Sequence, residues 1–322
     1  MSPKPTILYY DVLKYHEQAL AFMREHFEVL ALPDPGHDTD QALERAEVLM
    51  APLGFPVDRA KLDRCPNLRV VGSSTLSLPH VDVDYASKKG IPVAYLGEER
   101  EYMWSITPTA EVAWGLLIAV TRFIPKARRD ALKGTRRGRY LGRMTPRMLS
   151  NMTLGVIGLG RLGSITASYG AAFGMEVFYY SPNSRNPAYT LCGSLEELAR
   201  KSDVVSLHAH HLPGTDKMLN ADFFAAMKPG SFFINTARGE IVDEDALLEA
   251  LTSGHLDGAG LDVLAGEHAP GFREKLAESK LVEYARNHDN LVITPHYAGA
   301  TQDAWWRTQK KTLELILAHL PS

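Results

Sequence analysis

Three short stretches of the chain carry groups that can handle an oxo acid: INTARGE around Arg238, LDVLAGE ending at Glu267, and TPHYAGAT around His296. A guanidinium at Arg238 can fork onto a substrate carboxylate and polarise the neighbouring carbonyl. His296, as imidazolium, can protonate the carbonyl oxygen while a hydride arrives at its carbon. Glu267, bonded to the other ring nitrogen, would stabilise the protonated imidazole and fix its tautomer. Taken singly, each residue has a bland explanation: a surface ion pair, a loop carboxylate, a capping histidine. Together, downstream of a nucleotide-type glycine loop, they point to reduction of a 2-oxo acid.

That glycine loop is GLGRLG, with Gly158, Gly160 and Gly163 following a strand LGVIG and opening a helical SITASYGAAFG. A lone GxGxxG is weak, but strand before, helix after and a second strand EVFYY give it context. Gly158 permits the tight turn, Gly160 lets backbone approach a pyrophosphate, and Gly163 allows close helix–strand packing. The helix start then offers free N–H groups and positive partial charge to the phosphates.

The second strand ends in VFYYSPNSR, where an acidic residue often meets the adenosine ribose. Ser181 stands there instead, with Arg185 four residues on. Serine removes the repulsion of a 2′-phosphate, and Arg185 can add a charge-assisted contact. NADP(H) is therefore the favoured cofactor, and NAD(H) bound by a site that tolerates serine is the alternative.

These stretches need strands to carry them. Short β-branched or aromatic runs alternate with helical patterns almost throughout, as parallel βαβ units require. A first series, ILYYDV, EVLAL, EVLMAP, LRVVGSS and IPVAYL, forms a doubly wound unit of about five strands. A second, LGVIG, EVFYY, DVVSLH, SFFINT, GAGLDV and NLVITP, gives about six. Between them runs an apolar helix over 107–124, capped by Thr107 or Thr109 and predicted to be buried between domains or subunits. Ser194-Leu-Glu-Glu197 reads as a capping box. The fold class is α/β, with two doubly wound parallel-sheet domains. The expected division is 1–104 with 297–322 for the first and 105–296 for the second.

The bulk numbers exclude other classes. The 322 residues are 45% hydrophobic and 23% charged, which argues against disorder, and a net charge of −3 does not favour nucleic acid. The one dense basic run, 126–147, reads as a solvated interdomain or subunit-contact segment. Cys65 and Cys192 lack metal or redox spacing and suit a reduced, cytoplasmic protein. No uninterrupted apolar run is long enough for a membrane span.

The motifs GVIGLGRLG, FFAAMKPGSFFINTARGEIVDEDALLEAL, GAGLDVLAGE and TPHYAGAT resemble the D-isomer-specific 2-hydroxyacid dehydrogenase family over nearly the whole chain. The second is highly specific. The resemblance implies a homodimer with a split flavodoxin-like substrate-binding domain, a Rossmann nucleotide-binding domain, and an active site between them. It implies that Arg238, Glu267 and His296 are the catalytic set. Asp262 would orient the nicotinamide amide, and Arg161, Leu162, Thr236 and Ala237 would line the cofactor. Thr109 matches a cofactor-contacting position. The loop SSTLSLPHVD matches the substrate loop, so the N–H groups of Leu76 and Ser77 would bind the substrate carboxylate.

The chain departs from the family pattern in several places. Ser77 stands where glycine is common, and His268 follows Glu267 where proline is usual. His210, in HAHHLP, takes a proline position after the third strand. Its placing there implies a cofactor contact, and without a carboxylate or cysteine nearby no metal is expected. The stretch between Glu267 and His296, with its helical GFREKLAESKLVEYARN, is longer than usual and could cover the cleft. Two rivals share the scaffold. Glu267 argues against formate oxidation and Leu76 against phosphite oxidation. A nucleotide-sensing co-repressor would keep the catalytic residues, but no peptide-binding tail or basic DNA module accompanies them.

Overall fold

In the computed structural model, residues 3–135, 145–269 and 271–321 are described. The chain divides into two compact units, residues 1–106 with 300–322 and residues 107–299.

The first unit is a five-stranded parallel sheet of β1 (Thr6–Tyr10), β2 (Glu28–Leu32), β3 (Val48–Met50), β4 (Val70–Ser73) and β5 (Val93–Tyr95). Its order β2-β1-β3-β4-β5 is that of flavodoxin-like sheets. The central strands β1, β3 and β4 are buried at every position, because helices cover both faces of a parallel sheet. One face packs Leu8, Leu43, Leu49, Leu62 and Val71; the other packs Ile7, Met23, Val48, Leu313 and Ile316. Leu313 and Ile316 belong to the last helix, Gln302–Ala318, which returns onto this sheet as the sequence suggests.

The second unit is a seven-stranded parallel sheet: β6 (Thr153–Ile157), β7 (Glu176–Tyr180), β8 (Thr190–Leu191), β9 (Val204–Leu207), β10 (Ser231–Asn235), β11 (Leu256–Leu261) and β12 (Leu291–Ile293). Its order is β12-β11-β10-β9-β6-β7-β8, so strand order reverses beside β6. A ligand crevice in such sheets lies at that reversal, beyond the carboxyl ends of the strands. The sequence pattern showed six strands; β8 pairs only Thr190 and Leu191 with β7 and is too short to show a period.

Helix Pro108–Thr121 packs within its own unit. Its buried Ala113, Trp114, Leu117 and Val120 pack with Leu154, Val156, Phe232 and Ile234 of the second unit's own sheet, so it is a core helix of that unit. Neither threonine caps it. Thr107 occupies the cap position in right-handed helical conformation, and its hydroxyl donates to Glu111 Oε1 instead. By length and apolarity alone Arg100–Thr121 could cross a membrane, but it breaks into Arg100–Trp104 and Pro108–Thr121 and half of it is buried. Of the basic run, Ile124–Leu132 is helical, with Lys126 paired to Asp130 and Arg129 to Asp289; residues 136–144 lie outside the described residues. The Ser194 box is half formed. Its Oγ accepts from Glu197 N, while Glu197 reaches the amide of Gly193 rather than that of Ser194.

Candidate active site

The glycine loop sits at the reversal of strand order. Gly158 follows β6 at φ +87°, and a Cβ there would lie 2.8 Å from the backbone of His208 and Ala209, which follow β9. Gly163 is as constrained: its Cβ would come 2.0 Å from the Gly158 carbonyl oxygen. Gly160 differs. Nothing lies within 4 Å of where its Cβ would be, which leaves backbone open to a pyrophosphate. Arg161 and Leu162 begin the helix Arg161–Ala172, whose first N–H groups have no intrahelical acceptor. Burial pushes the Arg161 guanidinium below its ordinary pKa.

At the end of β7, Ser181 is buried and its carbonyl accepts from Arg185 NH1 at 2.9 Å. The same nitrogen donates to the Pro182 and Ser184 carbonyls at 3.2 and 2.8 Å. Arg185 thus caps its own loop with one nitrogen rather than extending away from it. The HAHH histidines do not gather. His208 bonds Ser206 Oγ at 2.9 Å, and desolvation pushes its pKa down to about 4. His211 reaches Asp216 at 3.1 Å, while His210 is exposed and its carbonyl accepts from Thr215.

Arg238, Glu267 and His296 follow the adjacent strands β10, β11 and β12, which explains why three distant stretches converge. After β10, the Asn235 side chain spans the turn: its Nδ2 donates to the Arg238 carbonyl at 3.0 Å and its Oδ1 accepts from Ala237 N at 2.9 Å. Arg238 is exposed, with NH1 resting on the Ala237 carbonyl at 2.7 Å. Thr236 Oγ1 is buried without a hydrogen-bond partner. Gly239 then presses on the next loop, where a Cβ would fall 2.1 Å from Ala265 N and the Leu264 carbonyl carbon. Two acids fasten that loop: Glu240 Oε1 accepts from Gly266 N at 3.1 Å and Glu244 Oε1 from Ala265 N at 2.7 Å. Burial pushes the Glu244 carboxyl up, partly offset by the Ala265 amide. Asn235, Glu240 and Glu244 were missed as site residues, although all three stand in the specific motif.

Glu267 Oε1 lies 2.7 Å from His296 Nδ1, and its Oε2 accepts from Leu264 N at 3.4 Å. The two atoms sit at hydrogen-bond distance, although no hydrogen bond to Oε1 is completed there. His296 is held at φ +49°, a left-handed conformation that costs a non-glycine residue about 1–2 kcal/mol. Asp262 imposes it. Its buried carboxylate accepts from Thr294 Oγ1 at 2.6 Å, Tyr297 N at 3.1 Å and Ala298 N at 2.9 Å, and its carbonyl accepts from His296 N at 2.9 Å. These bonds hold the histidine loop in place.

The long stretch after Glu267 forms helices Phe272–Glu278 and Lys280–Asn287, whose Phe272, Leu276, Val282 and Ala285 pack on the core. With Leu264, Glu267 and His296 they line a cavity of about 860 Å³. Thr109, at the second position of helix Pro108–Thr121, has its hydroxyl 3.7 Å from where a Gly299 Cβ would be, beside the histidine loop. Leu76 and Ser77 belong to the first unit, in the exposed loop after β4, and neither amide donates a hydrogen bond among the described residues.

The open backbone at Gly160, the helix start beside it and the orphaned Thr236 hydroxyl fit a dinucleotide whose phosphates need donors. Residues 114–298 match the family model described as D-isomer specific 2-hydroxyacid dehydrogenase, NAD binding domain. The chain belongs to this family. Over 301 residues it is 31% identical to a glyoxylate reductase of Thermococcus kodakarensis, covering 89% of this chain and 85% of that one. It is 32% identical to a D-3-phosphoglycerate dehydrogenase of Mycobacterium tuberculosis over 97% of its length but only 56% of that protein's. Thus this member of the 2-hydroxyacid dehydrogenases spans little more than half the length of that relative. Among solved structures, the D-lactate dehydrogenase of Aquifex aeolicus complexed with NAD and lactic acid aligns with a TM-score of 0.76, at 28% identity over 97% of this chain and 94% of the other.

Proposed function

We propose that the protein reduces a small 2-oxo acid to the D-2-hydroxy acid with a nicotinamide nucleotide, NADPH in preference to NADH. The reading rests on one observation above others: the 2.7 Å Glu267–His296 pair at the ends of two neighbouring strands, with Arg238 at the end of the next. The nucleotide, when bound, supplies the hydride. Arg238 holds the substrate carboxylate and draws electron density from the adjacent carbonyl. His296 gives its Nε2 proton to the carbonyl oxygen, while Glu267 on Nδ1 keeps that face protonated and the ring oriented. Glu267, one-tenth exposed, does this where water competes little. The free amides of Leu76 and Ser77 are the first unit's candidates for the carboxylate. Preference for NADPH rests on the absence of an acid at the end of β7, where Ser181 and Arg185 stand. By family likeness the chain acts as a homodimer.

The test is oxidation of NADPH and NADH by purified protein with glyoxylate, hydroxypyruvate and larger 2-oxo acids. Arg238→Ala and His296→Ala should each lower turnover about 10³-fold while nucleotide binding, read by fluorescence, persists. Ser181→Asp should move the preference towards NADH. Turnover with no 2-oxo acid would point instead to a nucleotide-sensing role.

A further inference from the structure

The residue after Glu267 gives the site a chemistry that proton donation does not need. Glu267, His268 and His296 each present one ligand atom, and the three atoms lie within 4.8 Å of one another. His268 Nε2 is 3.6 Å from the same Glu267 Oε1 that His296 Nδ1 approaches, and the two rings are 5.6 Å apart. Among the described residues this is the one such group of three. Glu267 is nine-tenths buried, yet Oε1 receives no well-directed hydrogen bond, an unmet demand beside two imidazoles.

We propose that Glu267, His268 and His296 form a regulatory site for a borderline divalent transition-metal ion of the zinc class, which shuts off reduction when bound. Two imidazoles and a carboxylate match the ligand preference of Zn²⁺, Co²⁺ and Ni²⁺ and not that of Mg²⁺. Tetrahedral bonds of about 2.0–2.2 Å place ligand atoms roughly 3.3 Å apart. The present spacing comes within about 1.5 Å of that, and His268, two-thirds exposed, can rotate to close the difference. Binding takes the Nδ1 position of His296, so the ring can no longer become an imidazolium and its remaining Nε2–H is a far weaker acid, and it turns Glu267 away from orienting the ring. Inhibition therefore rests on the proposed function; binding does not.

The experiment is a titration of untagged, chelator-stripped protein with CoCl₂, read by the visible ligand-field band and reversed by ZnCl₂. Wild type should bind one Co²⁺, and His268→Ala should weaken binding about tenfold or more. The metal-free variant should keep wild-type turnover, and its ZnCl₂ inhibition curve should shift by the same factor. No band in the wild type, or equal Co²⁺ affinity in both proteins, overturns the site. Zn²⁺ inhibition undiminished in His268→Ala assigns the effect elsewhere and also overturns it. If no 2-oxo acid is reduced the proposed function fails, while the cobalt titration still decides the metal site.

Discussion

The strand-end loops of the two units are built to opposite standards. After β10, β11 and β12, nearly every turn is fixed by a side chain from elsewhere: Asn235 across the Arg238 turn, Glu240 and Glu244 under residues 265–266, Asp262 within residues 294–298. After β4, Ser74 is tied to Tyr15 and Thr312 and the Thr75 carbonyl accepts from Leu96 N, but at Leu76 and Ser77 the loop is exposed, its two amides are free, and its tie is the Thr75 hydroxyl on the Ser77 carbonyl at 2.6 Å. On the proposed function, the contrast follows from the tasks. A proton donor must be held to a fraction of an ångström, which calls for an over-determined loop. Amide donors for a carboxylate need only be unspent.

The largest test of this contrast is Asp262→Ala. It strands three donors, Thr294 Oγ1 and the amides of Tyr297 and Ala298, at about 1–3 kcal/mol for each one that stays buried. With that clamp gone, His296 has no reason to keep its left-handed backbone. Turnover should fall at least about 100-fold, with a lowered Tm, while nucleotide affinity changes little. A kcat within threefold of wild type would show that the loop holds itself.

Glu244→Ala should do less, about tenfold in kcat, because Gly239 still presses on the Glu267 loop from its other side. Glu244→Gln retains an acceptor for Ala265 N and should restore most of the rate. A merely structural role would lower Tm in both variants without this separation in kcat.

How much of this could be read beforehand depends on where the cause lay. The strand runs, the glycine loop and the three candidate stretches at Arg238, Glu267 and His296 are local patterns of residues, and the sequence carries those patterns. The clamps do not show that way. Asn235, Glu240 and Glu244 looked like a strand end and an acidic helix start, and their purpose appears only when β10 and β11 lie side by side. The bonds of Asp262 to residues 32 to 36 positions later are likewise invisible in the sequence. Nor does the sequence show that one nitrogen of Arg185 rests on three nearby carbonyls. The helix over 107–124 reads as buried between domains or subunits because it is apolar all round, and that pattern says nothing of the sheet of its own unit on which one face packs.

The rigid end of β9 has a smaller cost that pH exposes. His208 is pushed down to about 4 by burial, from an ordinary value of 6.5. Between those values the unfolded chain takes up a proton that the native one refuses, so stability falls as pH drops through that window and levels off below it. The full shift corresponds to about 3 kcal/mol, and the ring's partial solvent contact reduces this to roughly 1–2 kcal/mol. His208→Gln, which can still bond Ser206, should flatten Tm against pH between 6.5 and 4. An unchanged acid slope would place the titrating group elsewhere.

The smallest effect belongs to the open loop. Leu76 is 52% exposed and its side chain anchors nothing, so Leu76→Ala leaves both free amides where they were. For glyoxylate, which has no side chain to meet the leucine, kcat/KM should change by about threefold or less. For larger 2-oxo acids the change should appear in KM rather than kcat, since contact with a remote side chain is made equally in ground and transition states. A tenfold loss in kcat with glyoxylate would mean that Leu76 positions the reacting carbonyl, and the loop after β4 would then belong with the over-determined ones.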